Sequence, residues 1–384
     1  MIDQSERNLD GSGKKPLLSA FLFLAAAAAM IAAVACSKHD TDFGSNSPLY
    51  TNNAYVAFDS AKPADTLRFA SLNMSIGFPV SQLLFTDMAD TAIAYVVLDS
   101  LVKRYQRTLP SERIKAMAKI IVEHDLDVVG LQEVMSFNKD GVKINDFLSE
   151  LVDQIKVIGG PAYQVIDNPL NDTVLAGRLN GKSISIAFHE GNAMLIRPGL
   201  QILESASFMY FTLLPIATEA GSKSQRALQY AKLRSSKGIF WNVYNTHLEV
   251  FQDISSSQAL ELRRLVDSVK IQNSAKEDGA PQIVIGDFNV NPNEDAHTVM
   301  QEGGFKDTYD TSATDPGFTC CITASTLWDP KSHFSNRRID FVFGRHMVKV
   351  TEHRVLMKDP IILASGDSLL LSDHRMVVTS IVGQ

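Results

Sequence analysis

The reading of this chain turns on Ser372-Asp373-His374-Arg375, close to the C-terminus. Alone the stretch says little. It gains weight from polar groups set upstream in apolar, strand-like surroundings. These are Asn73, Leu131-Gln132-Glu133-Val134, Asn245-Thr246-His247, Gly286-Asp287-Phe288-Asn289 and Arg338-Ile339-Asp340-Phe341. Together they supply carboxylates for a hard metal ion, amides to orient a phosphate, and two histidines for proton traffic. Such a set implies magnesium-dependent hydrolysis of a phosphoester.

Each group has its own physical logic. Residues i and i+2 of an extended chain point the same way. Asp287 and Asn289 therefore face together while Phe288 turns to the core. An Asx-rich turn, helped by Asn291-Pro292-Asn293, is the other reading. Glu133 ends the apolar strand Val128–Leu131, where desolvating a carboxylate is costly unless it is paired or bound to a cation. A solvated strand end is the alternative. His247 closes Val243–Thr246, and a lone strand histidine reads as structural more readily than catalytic. Asp340 lies on the face of Val342, and a half-buried aspartate needs a partner. His374 is the candidate, since the carboxylate would fix the ring tautomer and raise its basicity. Asp373 then points away from His374, leaving one to bind metal and the other to take a proton. Glu249, Asp253, Asp295 and His297 read as surface residues. Ser207–Leu214 reads as a core strand, with a lipid-touching loop as the alternative.

Around these groups the elements alternate loosely. Strands are predicted at Leu67–Asn73, Leu126–Glu133, Ser183–Phe188, Asn192–Ile196, Ile239–His247, Gln282–Gly286, Arg338–Phe343 and Met376–Val382. Helices are predicted at Ser111–His124, Asn145–Ile158 and Ser256–Ile271. In the first, Ser111 is the expected cap, and Ile114, Met117, Ala118 and Ile121 line one face. No repeat and no long polar break interrupts the series, so residues 65–384 read as one α/β domain.

Composition narrows the classes. Hydrophobic residues at 45% and charged residues at 21% are globular values. The net charge of -7 leans against a high-affinity nucleic-acid binder, although brief contact through a local basic strip fits. Arg104, Arg107, Arg113, Lys115 and Lys119 form the densest basic stretch, read as such a strip or as a solvated helix face.

At the start, Lys14-Lys15 precede an apolar run, Leu17–Ala35, that ends in Ala33-Val34-Ala35-Cys36. Small residues before a cysteine resemble a bacterial lipoprotein signal, with Cys36 lipidated. An uncleaved membrane anchor is the alternative. Residues 1–36 are thus set aside as a signal peptide and residues 37–64 as a flexible tether. Either reading places the body outside the cytoplasm, held to a bacterial membrane. Cys320 and Cys321 are adjacent, too close for ordinary disulfide geometry. They form either a vicinal bond or buried thiols, and they lack zinc-ligand spacing.

The ordered series Asn73, Gln132-Glu133, Thr246-His247, Gly286-Asp287-Phe288-Asn289, Arg338-Ile339-Asp340 and Ser372-Asp373-His374 resembles the endonuclease/exonuclease/phosphatase superfamily, the deoxyribonuclease-I-like proteins. The resemblance implies a four-layer α/β/β/α sandwich of two mixed β-sheets flanked by helices. It implies Mg2+, with Mn2+ as a substitute, held mainly by Glu133 with Asn73 and Asp373 close by. His374, polarised by Asp340, would be the general base. His247 and Asn289 would hold non-bridging phosphate oxygens, and Asp287 would orient water or protonate the leaving group. The leading expectation is a monomeric, extracytoplasmic phosphodiesterase of sphingomyelinase or phospholipase C type. A secreted-type endonuclease or exonuclease, a sugar or inositol phosphatase, and an inactive surface binding module are the alternatives. The substrate is accordingly a lipid headgroup, a nucleic acid or a small phosphate.

Overall fold

Thr66–Asn73 (β1) splits its apolar residues between two cores by strict alternation: Leu67 and Phe69 on one side, Ala70 and Leu72 on the other. The same division runs through the molecule and defines its layers. A computed structural model describes residues 66–77, 89–215, 223–272, 279–309, 315–322, 326–329, 334–346 and 349–383. The expected signal, tether and Cys36 lie outside them. Among the described residues no helix is long and apolar enough to cross a membrane.

The remaining principal strands are β2 (Val128–Lys139), β3 (Val142–Asp146), β4 (Gln164–Leu179), β5 (Lys182–Ile196), β6 (Gln201–Met209), β7 (Ala227–Arg234), β8 (Phe240–His247), β9 (Gln282–Asp287), β10 (Lys306–Asp307), β11 (Asp340–Arg345), β12 (Lys349–Leu356) and β13 (Met376–Val382). One sheet has the order β12-β13-β1-β2-β5-β4, with β3 added to β2, and the other the order β10-β11-β9-β8-β7-β6. Each is mixed, with one parallel pair inside it: β1 with β2, and β8 with β9. The helices are α1 (Thr91–Arg107), α2 (Pro110–Glu123), α3 (Phe147–Val157), α4 (Gln252–Gln272) and α5 (Asp295–Glu302). The parallel pairs require crossovers, which α1–α2 and α4 supply.

Three apolar clusters separate four layers. Between the sheets lie Phe69, Val128, Trp241, Val243, Ile283, Ile285 and Val342. Outside the first sheet, Leu98, Leu101, Met117, Ile121 and Leu151 of α1–α3 pack on Leu72, Val129 and Leu131. Outside the second, Leu262, Val266 and Met300 cover Tyr244, Val284, Phe341 and Phe343. This is the α/β/β/α sandwich that the resemblance implied.

Several details differ from the sequence reading. Ser111 does not cap α2: Leu109 stands at the cap position, Pro110 opens the first turn, and the Ser111 hydroxyl donates to Glu150 at 2.9 Å. Arg113, read with the basic stretch, is buried. Ser183–Ile196 is one long strand rather than two. It forms a hairpin with β4 across Asn180-Gly181, both at positive φ as the two-residue turn demands. The segment read as a core strand, 207–214, is instead the end of an edge strand followed by a loop, with Tyr210 buried and Phe211 93% exposed. Glu249 and His297 are buried rather than on the surface.

Candidate active site

The inter-sheet face carries apolar residues along the strands and polar ones at their tips. Asn73 follows Phe69 and Ser71 on that face; His247 follows Val243 and Asn245; Asp287 follows Ile283 and Ile285. All three are at the C-terminal ends of the parallel strands, where Asn73 pairs with Gln132 and His247 with Asp287. Asp340 opens β11 directly opposite Asp287. Strand alternation and register therefore bring four distant segments to one end of the sandwich.

Asn73 is the connecting residue. Its Nδ2 donates to Glu133 Oε1 and to Asp287 Oδ2, both at 3.0 Å, while its Oδ1 accepts from Ser75 N at 2.9 Å. In this arrangement it orients two carboxylates. Glu133 sits in an irregularity of β2 between Leu131 and Val134, with φ of 52°. A bulge of this kind re-aims a side chain. Its Oε2 accepts from Ile76 N at 2.8 Å. Burial pushes the Glu133 carboxyl up to about 7, and the neighbouring Asp373 charge adds to the rise.

Asp287 lies between the histidines: its Oδ2 is 3.6 Å from Nε2 of His247 and 3.6 Å from Nε2 of His374. Its Oδ1 accepts from Asn289 N at 2.9 Å, so the turn reading and the site reading hold together. Burial raises the Asp287 carboxyl to about 6 against the lowering effect of His374. Asn289, at φ of 56°, donates to Leu248 O at 2.8 Å and lies 3.2 Å from His247 Nε2. His374 turns Nδ1 to Asp340, 2.9 Å from Oδ2 and 3.1 Å from Oδ1. Burial disfavours the imidazolium, but Asp340 and Asp287 outweigh it and hold His374 well above the ordinary histidine value. His247 goes the other way, lowered by burial, by Arg226 and by His374.

Further residues hold these in place; of them, the sequence reading gave Arg113, Thr319 and Arg226 no part in the site. Arg113 donates to Leu371 O at 2.5 Å, to Ser75 O at 3.0 Å and to Met74 O, joining the loops after β1 and before β13. Thr319 Oγ1 accepts from Ile339 N at 3.1 Å and Asp340 N at 3.2 Å. Next to it, Cys320 and Cys321 are joined as a vicinal disulfide, and Cys320 bridges to His374 through the backbone. Arg226 Nη1 lies 2.9 Å from His247 Nδ1. Asp373 is half-buried beside Glu133 in charge terms, and Ser372 Oγ donates to Asn73 O at 2.8 Å. Of the remaining sequence candidates, Asp253 and Asp295 are exposed, whereas His297 is 3.3 Å from Asp307 and Glu249 pairs with Arg226.

Residues 104–374 match the Endonuclease/Exonuclease/phosphatase family, and the chain belongs to it. Members hydrolyse phosphoester bonds and typically depend on a divalent metal. Among solved structures, the chain is similar to a family protein of Bacteroides thetaiotaomicron at 19% identity and TM-score 0.53, covering 83% of this chain and 98% of that one. It is also similar to a mannosyl-6-phosphatase of Bacteroides thetaiotaomicron VPI-5482 at 19% identity and TM-score 0.53, covering 82% and 99%. A third is a family protein of Bacteroides vulgatus, at 18% identity and TM-score 0.52, covering 83% and 99%. These likenesses establish the fold. No curated protein matches the chain.

Proposed function

We propose that the chain is a magnesium-dependent phosphodiesterase that cleaves a lipid headgroup outside the cytoplasm, in the manner of sphingomyelinases, while held to the membrane through a lipidated Cys36. The observation that carries the lipid reading is a set of exposed apolar side chains on two segments, one of which follows His247 directly in the chain. Phe211 is 93% exposed, Val250 53% and Phe251 39%. Both segments dock on one turn of α4: Thr212 O accepts from Gln258 Nε2 at 2.9 Å, and Glu249 N donates to Gln258 Oε1 at 2.9 Å. Tyr210 Oη lies 2.8 Å from Thr246 Oγ1, one residue from His247. Exposed apolar groups of this kind suit a bilayer surface.

The donor set suits a hard divalent ion. Glu133 and Asp373 are oxygen donors; burial first, and the Asp373 charge second, raise the Glu133 carboxyl, and a cation would relieve both. Asp287, Asp340 and His374 also present atoms within 4.8 Å of one another, but Nδ1 of His374 is already engaged by Asp340. We therefore assign that trio to proton transfer and Glu133 with Asp373 to Mg2+, or Mn2+ in its place, with Asn73 orienting the carboxylate. Held there, such an ion would supply Lewis-acid stabilisation of the phosphoryl charge. His374, once Nε2 has given up its own proton, takes the proton of the attacking water there, and Asp340 stabilises the imidazolium that forms. Asp287, with its carboxyl at about 6, is suited to give a proton to the leaving oxygen. His247 and Asn289 donate to the non-bridging oxygens.

Two observations bear on the alternatives. The basic stretch offers little to nucleic acid, since Arg113 is buried, Lys115 pairs with Glu112, and Lys119 lies 3.6 Å from Glu123. Arg337 donates to Asn289 O at 3.3 Å, a cation at the site edge that would favour a sugar phosphate. A phosphorus NMR time course on the full chain decides. With magnesium it meets sphingomyelin vesicles, a DNA duplex, mannose 6-phosphate and an inositol phosphate. Loss of the sphingomyelin signal, stopped by EDTA, is expected. Loss of a phosphomonoester signal alone would replace the lipid reading with a phosphatase. No loss of any signal would favour a binding module.

A further inference from the structure

Arg226 is a buried cation with an unusual neighbour. Its Nη1 is 2.9 Å from His247 Nδ1, and the two residues are 21 apart in sequence. Two glutamates compensate its charge: Glu190 Oε1 lies 3.7 Å from Nη1 and Glu249 Oε2 lies 3.5 Å from Nε. The side chains of Arg226, Glu190 and Glu249 are 13%, 11% and 4% exposed. Asn171 Nδ2 holds the other Glu190 oxygen at 2.8 Å. Such a cluster is costly to bury; its charges oppose one another, although Arg226 Nε and Glu249 Oε2 make no hydrogen bond.

A guanidinium has five N–H groups and no acceptor. Nδ1 of His247 must therefore be the acceptor, and a neutral ring with Nδ1 bare carries its proton on Nε2. The Nε2 side faces Asp287 Oδ2 at 3.6 Å. Asn289 Nδ2, 3.2 Å from Nε2, already spends one hydrogen on Leu248 O at 2.8 Å. With Nε2 protonated, the ring and the Asn289 amide are adjacent donors. Two donors side by side are satisfied together by a shared anionic oxygen.

Resting on the phosphoesterase reading above, we propose that Arg226 is a positioning residue. It locks His247 as the Nε2–H tautomer, so that a neutral imidazole and the Asn289 amide present a fixed pair of donors to one phosphate oxygen. His374, gripped at Nδ1 by Asp340, is arranged the opposite way: its Nδ1 partner is an anion that favours a ring able to accept a proton. The two histidines thus differ in role because one has a cation and the other a carboxylate behind it.

The test reads the ring nitrogens directly. The full chain, labelled with nitrogen-15 histidine, is examined by long-range proton–nitrogen NMR with and without magnesium near neutral pH. Expected for His247 is an unprotonated Nδ1 and a protonated Nε2. Arg226→Met should release this preference and lower kcat by roughly 10- to 100-fold. Arg226→Lys, which restores one donor, should recover much of the tautomer. Because Arg226→Met strands two buried glutamates, a triple variant with Glu190→Gln and Glu249→Gln guards against unfolding. A protonated Nδ1 in the wild type, or an unchanged tautomer in folded Arg226→Met and in the triple variant, would overturn the proposal. The measurement needs no substrate, so failure to hydrolyse any phosphoester would count against the functional reading and leave the tautomer result standing.

Discussion

Both carboxylate oxygens of Asp340 face one atom of His374, with Nδ1 at 2.9 Å from Oδ2 and 3.1 Å from Oδ1. The pair is buried, and the Asp340 backbone is itself held by Thr319. This contact fixes the ring with Nε2 toward Asp287 and favours its protonated form. Asp340→Asn keeps the shape but presents an amide, which stabilises the imidazolium poorly. Steady-state kinetics should show kcat reduced by roughly 10²- to 10⁴-fold, as expected for losing general-base support. A loss under threefold would remove His374 from the base role.

Glu133 is a carboxylate kept in place at a cost, since burial and Asp373 both disfavour its charge. Glu133→Gln keeps an oxygen for Ile76 N and relieves that repulsion. Metal-free Glu133→Gln should therefore melt at or above the temperature of metal-free wild type. The rise in Tm that magnesium gives the wild type should disappear, because only ligand bound to the folded state stabilises it. Differential scanning calorimetry with and without magnesium checks both halves. An equal magnesium-induced rise in both proteins would move the ion away from Glu133.

Arg113 ties the loop after β1 to the loop before β13 through three carbonyls, and its guanidinium lies 5.8 Å over the Phe147 ring. Burial brings its own value down to about 10, with Asp373 acting in the opposite sense. Arg113→Met preserves much of the packing but leaves buried carbonyls without donors, at about 1–3 kcal/mol each. Urea unfolding should register a loss of about 3 kcal/mol or more, and Arg113→Lys should recover only part of it. A loss below about 1 kcal/mol would mean that water replaces the guanidinium freely.

How much of this was visible in the sequence follows from how local each cause is. The tips of β1, β8, β9 and β11 were legible because one polar residue interrupts an apolar alternation, and register does the rest. Asn180-Gly181 was an available hairpin signal, and reading it would have recovered β4. Arg113 and Arg226 were not legible. The acceptor Leu371 is 258 residues from Arg113, and His247 is 21 from Arg226 on an adjoining strand system. Glu249 and His297 looked like surface residues because burial of a charge depends on partners, Arg226 and Asp307, that only the fold supplies. Phe211 was misplaced because an apolar run says nothing about which side of an edge strand its end will face.

His124 gives the fold a defined acid sensitivity. It is buried at the end of α2, and burial, with Arg354 and Arg68 nearby, lowers it to about 4. The sign follows from linkage. The unfolded chain takes up a proton near the ordinary value of 6.5, and the folded chain does so only near 4. Its contribution to stability is complete above the unfolded value and is lost as pH falls toward the folded one. Unfolding free energy measured across that window should decline less steeply in His124→Gln than in wild type. Identical slopes would place the acid sensitivity elsewhere.

The exposed apolar set separates recognition of a bilayer from chemistry. Phe211 and Val250 are exposed and take no part in the polar centre, although Phe211 N is anchored to Glu261 Oε2 at 2.6 Å. Phe211→Asp with Val250→Asp places charge where a bilayer would have to be entered and leaves His247, Asp287 and His374 untouched. Removing one buried aromatic contact costs about 1.5–3 kcal/mol, so binding to sphingomyelin vesicles in sedimentation should weaken by roughly tenfold or more. Turnover on those vesicles should fall in step. Turnover of a small soluble phosphodiester should stay within twofold of wild type. If soluble and vesicle turnover fall together, the set belongs to the chemistry. If neither changes, the lipid reading loses the observation that carries it, and the phosphomonoester reading at Arg337 takes its place.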